Sequence, residues 1–183
     1  DKDRIRFRQM MLHCLSQKKV MSFSFALRFR QEFNLTMSNE GLVDILCYCL
    51  MSNHIHLLVK ENVSRGTSRY MQKLLNGYAK YFNMSQQRTG SLFTNPFHAV
   101  LINGDEQLLH VSRYIHLNPY TAHMTDKAFS YRWSSLAEYV SNLSEPTCHT
   151  NLIHSLLKPQ EYKKFVIDEA DYAKSIADIK HLL

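Results

Sequence analysis

The spacing of apolar and polar residues changes several times along the chain, and each change marks an element. Residues 3–16 place Ile5, Gln9, Leu12 and Leu15 near helical spacing, which predicts a first helix. Residues 20–34 alternate loosely through Phe23, Phe25, Leu27 and Phe29 before turning polar, a pattern open to a short strand or an extended loop. An aliphatic run over residues 42–50 leads through Met51, Ser52 and Asn53 into His54-Ile55-His56-Leu57-Leu58-Val59, so a hairpin is predicted. Between residues 64 and 85, Met71, Leu74, Leu75, Tyr78 and Phe82 recur at helical intervals and define the strongest helix. After a polar turn at residues 86–90, residues 97–102 read as another strand. Gly104-Asp105 then opens a helix that should stop at Asn118, because the residue before Pro119 is disfavoured in the α region. Ser135-Leu136-Ala137-Glu138 has the spacing of a capping box, and residues 144–183 read as a helical extension.

On a strand, residues two apart point to the same side, so His54 and His56 would face one way and Ile55, Leu57 and Val59 the other, toward a core. Histidine is the commonest side-chain metal ligand, and a strand holds such a pair with little freedom. The alternative is a pair of ordinary strand histidines satisfied by hydrogen bonds. Cys47 and Cys49, also two apart, invite a zinc reading with the histidines, although strand cysteines usually behave as small buried hydrophobes. On the later helix, Leu108, Val111 and Ile115 face the core, while His110, Tyr114 and Asn118 line up one turn apart as a polar stripe. A cation held by two imidazoles and an amide oxygen leaves positions open for phosphate oxygens. Tyrosine, with a pKa of about 10, is a poor nucleophile until such a cation withdraws charge from the phosphate it attacks. The resulting phosphotyrosine ester replaces one phosphodiester with another, so a second strand could reverse the step without ATP. Asn118 could also serve as a helix C-cap, with His110 as the alternative ligand, whereas His116 lies off this face and reads as structural.

Composition narrows the setting. A chain of 183 residues, 45% of them hydrophobic, suits one main domain with an extension. No apolar run approaches the roughly 20 residues of a membrane span and no signal-peptide pattern opens the chain, so cytoplasmic residence is expected. Its four cysteines lack disulfide-framework density, which fits a reducing compartment. The net charge of +6 and pI near 9.1 favour a polyanionic partner. Much of that charge gathers on the strongest helix, where Arg65, Arg69, Lys73, Asn76 and Lys80 share a face with no acidic residue among them. A solvated face is the alternative reading. Arg88 and Arg113 are further candidates for phosphate contact. The chain opens at Asp1 directly into a helix-like segment, so an N-terminal piece is expected to be absent.

The motifs taken in order resemble the HUH-type single-tyrosine transposases, in particular the REP-associated tyrosine transposase branch. The resemblance rests on four stretches: residues 48–59, with His54 and His56; residues 88–93 followed by 97–99; Arg113-Tyr114-Ile115-His116-Leu117-Asn118-Pro119; and Tyr131-Arg132-Trp133-Ser134-Ser135. It spans about residues 3–140. It implies that His54 and His56 bind Mg2+ or Mn2+, that Tyr114 is the nucleophile, and that Asn118 stands where the family places a third polar ligand. Family members cut single-stranded DNA beside a hairpin, keep a 5′-phosphotyrosine bond and release a 3′ hydroxyl. By analogy Arg65, Arg69, Lys73, Lys80, Arg88 and Arg113 would hold the DNA backbone, with the protein nucleoid-associated when bound.

The implied fold is α+β, a ferredoxin-like antiparallel sheet backed by helices over residues 1–143, followed by the extension at 144–183. Two departures stand out. Ser52 replaces a usual proline, and the strand that opens the family fold is expected to be missing from this chain. Residues 20–29 or a partner chain could substitute for that strand, and relatives occur both as monomers and as homodimers. A DNA-hairpin-binding module without catalysis is the alternative function, and a hydrolase of small phosphoesters is a third.

Overall fold

The computed structural model describes residues 1–17, 23, 41–141 and 146–182. The fold is α+β, with a two-stranded antiparallel sheet packed against helices. In chain order the elements are α1 (Lys2–His13), β1 (Val43–Leu50), β2 (Ile55–Glu61), α2 (Gly66–Ser85), α3 (Asp105–Thr121), a 3-10 turn (Ala128–Ser130), α4 (Leu136–Val140), α5 (Asn151–His154) and α6 (Pro159–Leu182). They form two compact units, residues 1–44 with 60–100 and residues 45–59 with 101–183. Among the described residues, no helix is long and apolar enough to cross a membrane. Most of residues 20–34 lie outside the described residues.

In the first unit α1 packs against α2, but through a different face from the one its spacing predicts. Phe7, Met10 and Met11 are buried, whereas Ile5 is 41% exposed. The large aromatic and thioether groups bury more apolar area than the Ile5 face would, and that decides the rotation of the helix. Phe7 meets the edge of Tyr78 at 4.8 Å, and the buried Tyr70 hydroxyl donates to the Met11 carbonyl at 3.2 Å. At the start of α2, Arg65 adopts the left-handed conformation with φ 59°. The backbone beside it runs so close to Leu42 that a Cβ on Gly66 would lie 2.3 Å from the Leu42 carbonyl oxygen.

Residues 97–102, expected as a strand, join no ladder among the described residues, and Val100 and Leu101 are 66% and 80% exposed. A short apolar run becomes a strand only where a neighbouring backbone takes up its hydrogen bonds, and no backbone among the described residues does so here.

Every residue of β1 is buried. Within the second unit an irregular segment covers its edge: Leu50 N–H donates to the Trp133 carbonyl at 2.9 Å, and Ser135 N–H to the Tyr48 carbonyl at 3.0 Å. His149 N–H reaches the Ile45 carbonyl at 2.8 Å, so these buried backbone groups are paired without a third strand.

Helix α3 does not stop at Asn118 but continues through Pro119 to Thr121. Proline removes only its own N–H, and this close to the helix end the loss is one bond. Burial of Pro119 and the Ala122 N–H to Asn118 carbonyl bond, at 2.9 Å, offset the local preference against the α region.

Helix α4 begins just after Ser135, as the capping pattern predicts, but the Ser135 side chain does not cap it; Ser134 Oγ accepts the Leu136 N–H at 3.3 Å. Ser135 Oγ instead accepts the Tyr48 N–H at 2.9 Å, and Glu138 accepts the N–H groups of Thr147 and Cys148, each at 2.7 Å. The C-terminal segment supplies part of this unit's core, where Tyr162, Val166 and Ala170 join Leu108, Ile115, Leu136 and Tyr139. All four cysteines are buried and none is in a disulfide among the described residues.

The close approach at Gly66 gives a measurable consequence. Gly66→Ala should destabilise the protein by about 2–4 kcal/mol in urea unfolding, since the clash is with backbone. Gly77→Ala meets only the flexible Met10 Cε at 2.7 Å and should cost far less, because helix propensity favours alanine by roughly 1 kcal/mol.

Candidate active site

The hairpin turn brings the two histidines together from different local settings. Met51 N–H donates to the His54 carbonyl at 3.0 Å, closing a turn with Ser52 and Asn53 at its tip. His54 is therefore the last residue of the turn, and only His56 lies on β2. Their Nε2 atoms nevertheless lie 3.1 Å apart, with the rings at 87°. Asn53 Oδ1 sits 2.7 Å from His54 Nδ1. A carboxamide oxygen only accepts, so Nδ1 carries the proton and His54 Nε2 presents its lone pair to His56. Burial, and then the proximity of His54, lower the pKa of His56, favouring the neutral ligand form. The expected division of β2 into a histidine face and a core face does not hold. Leu58, which alternates with His56, is the buried residue, while Ile55, Leu57 and Val59 are half-buried. The histidine side is the one α3 covers, and Leu58 shares a core cluster with Leu108 and Ile115 of that helix.

Tyr114 projects from α3 toward the pair. It is 60% exposed, yet its ring meets the edge of the His56 ring at 5.8 Å and 82°. Asn118, one turn further, donates from Nδ2 to the Tyr114 carbonyl at 3.2 Å, which leaves Oδ1 as its acceptor. Among the described residues Asn118 makes no hydrogen bond to either imidazole. His110 is turned elsewhere, with Nδ1 2.9 Å from Arg113 Nη2. Arg113 in turn donates to the Phe165 carbonyl at 3.3 Å, stacks over the Phe165 ring at 4.0 Å and lies 3.6 Å from Glu169, so it is engaged by α6.

Two imidazole nitrogens bonded to one cation at about 2.1 Å in adjacent octahedral positions lie about 3.0 Å apart. The His54–His56 separation fits that geometry. Among the described residues no third His, Cys, Asp or Glu completes a metal group. The remaining donors would be an amide oxygen such as that of Asn118, water, or phosphate oxygens. Cys47 and Cys49 are both 0% exposed, and among the described residues they join no group of three or more His, Cys, Asp or Glu that could hold a metal, so the zinc reading with the histidines gains no support.

A buried chain of polar groups seats α3. Ser112 Oγ donates to the Leu109 carbonyl at 2.8 Å, and the Tyr162 hydroxyl donates to Ser112 Oγ at 2.9 Å. His116 Nδ1 lies 2.8 Å from the Tyr162 hydroxyl, and His116 Nε2 lies 2.8 Å from Ser135 Oγ. The donors run in one direction if His116 is protonated at Nδ1 and accepts at Nε2. Ser112 and Tyr162 carry no local pattern that marks them, and the pattern around Ser135 points to a helix cap rather than to this chain of bonds. Asn53 could have been suspected from its place beside the first histidine.

The basic candidates of the first unit divide by their partners. Arg65 and Lys80 are exposed on α2. Lys73 donates to the Ser16 carbonyl at 2.7 Å and Arg69 reaches the Gln17 carbonyl at 3.5 Å, so both also brace the end of α1. Arg88, in the turn after α2, reaches the Ser91 carbonyl at 3.3 Å.

Residues 8–118 match the family model described as "Transposase IS200 like". The chain belongs to the IS200-like transposase family. The matched region runs from α1 through the hairpin and α2 to Asn118, and so includes both histidines and Tyr114. Membership makes this transposase a DNA-binding, DNA-cleaving enzyme of transposition and recombination, in a family that generally depends on divalent metal. No curated protein and no solved structure matches the chain. Ser135 and Tyr162, which hold the tyrosine helix of the transposase, lie beyond the matched region.

Burial lowers the pKa of His116 to about 3 from 6.5. Below about pH 6.5 the unfolded chain binds a proton that the folded transposase refuses, so stability should fall as pH drops toward 3, with a slope approaching about 1.4 kcal/mol per pH unit. In His116→Gln that part of the slope should vanish, as read from urea unfolding between pH 7 and 4.

Proposed function

We propose that this transposase nicks single-stranded, hairpin-bearing DNA through a 5′-phosphotyrosine intermediate at Tyr114, with Mg2+ or Mn2+ held by His54, His56 and Asn118. The observation that carries the reading is the contact of the exposed Tyr114 ring with an imidazole pair whose nitrogens converge. His54 is oriented by Asn53, and His56 is kept in its neutral form by burial. A bound divalent ion would withdraw charge from the scissile phosphate. The Tyr114 oxygen forms the new bond to phosphorus, the 3′ oxygen of the preceding nucleotide departs, and the phenolic proton passes to solvent at this exposed site. Attack by a 3′ hydroxyl in the reverse sense rejoins DNA and frees Tyr114. The four ordered motifs support placement in the REP-associated branch. Among the cationic residues, exposed Arg65 and Lys80 are the best placed for DNA phosphates, with Arg69, Lys73 and Arg88 beside them. The engagement of Arg113 by α6 favours a role in holding the tyrosine helix.

With Mn2+ and a hairpin-flanked oligonucleotide, the wild type should give a covalent adduct on a denaturing gel. Tyr114→Phe should give none while binding the oligonucleotide as before. An adduct that persists in this variant would sink the assignment. Each of His54→Ala and His56→Ala should weaken Mn2+ binding by about tenfold or more in titration calorimetry. Lys80→Ala should reduce the slope of log affinity against log salt by about 1, in contrast to a purely solvated role, which would leave the slope unchanged.

A further inference from the structure

The first unit contains a cleft of about 380 Å3 between α2 and the loop that follows it, walled by Met71, Leu75 and Ala79 on one side and by Leu92, Phe93 and Phe97 on the other. Three side-chain amides, Gln72, Asn76 and Asn95, stand at its edges. None of these amides has a hydrogen-bond partner among the described residues. Phe97 is 39% exposed, so an aromatic face is left open. The loop is held in shape by its own bonds. Asn83 donates from Nδ2 to the Gly90 carbonyl at 2.8 Å, Arg88 reaches the Ser91 carbonyl, and the Phe93 ring rests 6.5 Å from Tyr78. Gly90, at φ 88°, makes the turn that brings the loop back along the helix.

The cleft is continuous with the cationic face of α2. Arg65, Arg69, Gln72, Asn76 and Lys80 succeed one another at intervals of three or four residues, so the amides that edge the cleft interrupt a line of positive side chains. A flat apolar slot, an aromatic wall, unpaired amides and flanking cations are the combination that receives an unstacked base while the neighbouring phosphates are held outside. A protein segment would have no comparable use for the positive line. We infer that this cleft takes one unstacked base of single-stranded DNA, stacked against Phe97 and hydrogen-bonded at its edge by Asn76 or Gln72. The inference rests on the reading of this chain as a single-strand DNA enzyme, and it adds a base-reading site apart from the residues that carry the chemistry.

The test is an abasic scan. A hairpin oligonucleotide with single-stranded flanks is made with the base removed at each flank position in turn, and affinities for the wild type and for Phe97→Ala and Asn76→Ala are measured by fluorescence anisotropy. One position should cost the wild type about tenfold in affinity. At that position the abasic change should cost Phe97→Ala less than about twofold, because the contact is already gone. These side chains are exposed or at the cleft edge, so thermal melts should match the wild type and exclude misfolding. If no position behaves this way, or if wild type and variants lose equally, the inference is overturned and the cleft is left to an apolar peptide segment. If the wild type still forms the Tyr114 adduct in that case, the proposed function stands without the base site. If the wild type binds no single-stranded DNA at all, both fall together.

Discussion

The second unit depends on how α3 is seated, and α3 is seated by buried hydrogen bonds as much as by apolar contact. His116, Ser112, Ser135 and Tyr162 form one chain of donors and acceptors that joins the tyrosine helix to α6, to the start of α4 and, through the Tyr48 backbone, to β1. Leu108, Ile115 and Leu117 supply hydrophobic burial, but such contact alone tolerates rotation of a helix about its axis. Directional bonds do not, since an unpaired polar group in the core costs roughly 1–3 kcal/mol. With His116 facing inward, Tyr114 two positions earlier must face the opposite way, toward the ring of His56.

Several of these relations were legible in the sequence because they are local. The His54–His56 pair shows in a period of two, and Tyr114 and Asn118 in a spacing of four on an amphipathic helix. The cover of β1 was not legible, because Tyr48 and Ser135 lie 87 residues apart and an irregular segment has no periodicity to read. The same limit explains the face of α1, which is chosen by Tyr70 and Tyr78 of α2 rather than by its own spacing. Residues 97–102 show the converse: an apolar run with strand-like composition stays outside any ladder among the described residues. Ser135 and Glu138 look like a cap, yet more distant partners claim both side chains. His54 falls just outside its strand because the turn takes one residue more than the apolar pattern suggests.

The cationic face of α2 has two physical roles at once. Lys73 and Arg69 reach carbonyl groups that follow α1, whereas Arg65 and Lys80 stand clear. Burial lowers the pKa of Lys73, consistent with a charge partly withdrawn from water. A stripe that looks uniform in sequence is thus divided by its partners, and the charge offered to a polyanion is concentrated toward its ends. Arg113 follows the same logic in the second unit, where α6 takes up its hydrogen bonds and its charge.

The four thiols have a practical consequence. Burial holds Cys14 in its protonated form, with a pKa of about 11, and also pushes Cys47 and Cys148 well above the ordinary thiol value. A protonated, enclosed thiol reacts with an alkylating reagent only when the structure around it opens. Cys14 belongs to the first unit, and Cys47, Cys49 and Cys148 to the second. The native cysteines therefore form two separate sets of labelling sites, and mass spectrometry of alkylated peptides can report which unit opens first without any introduced probe.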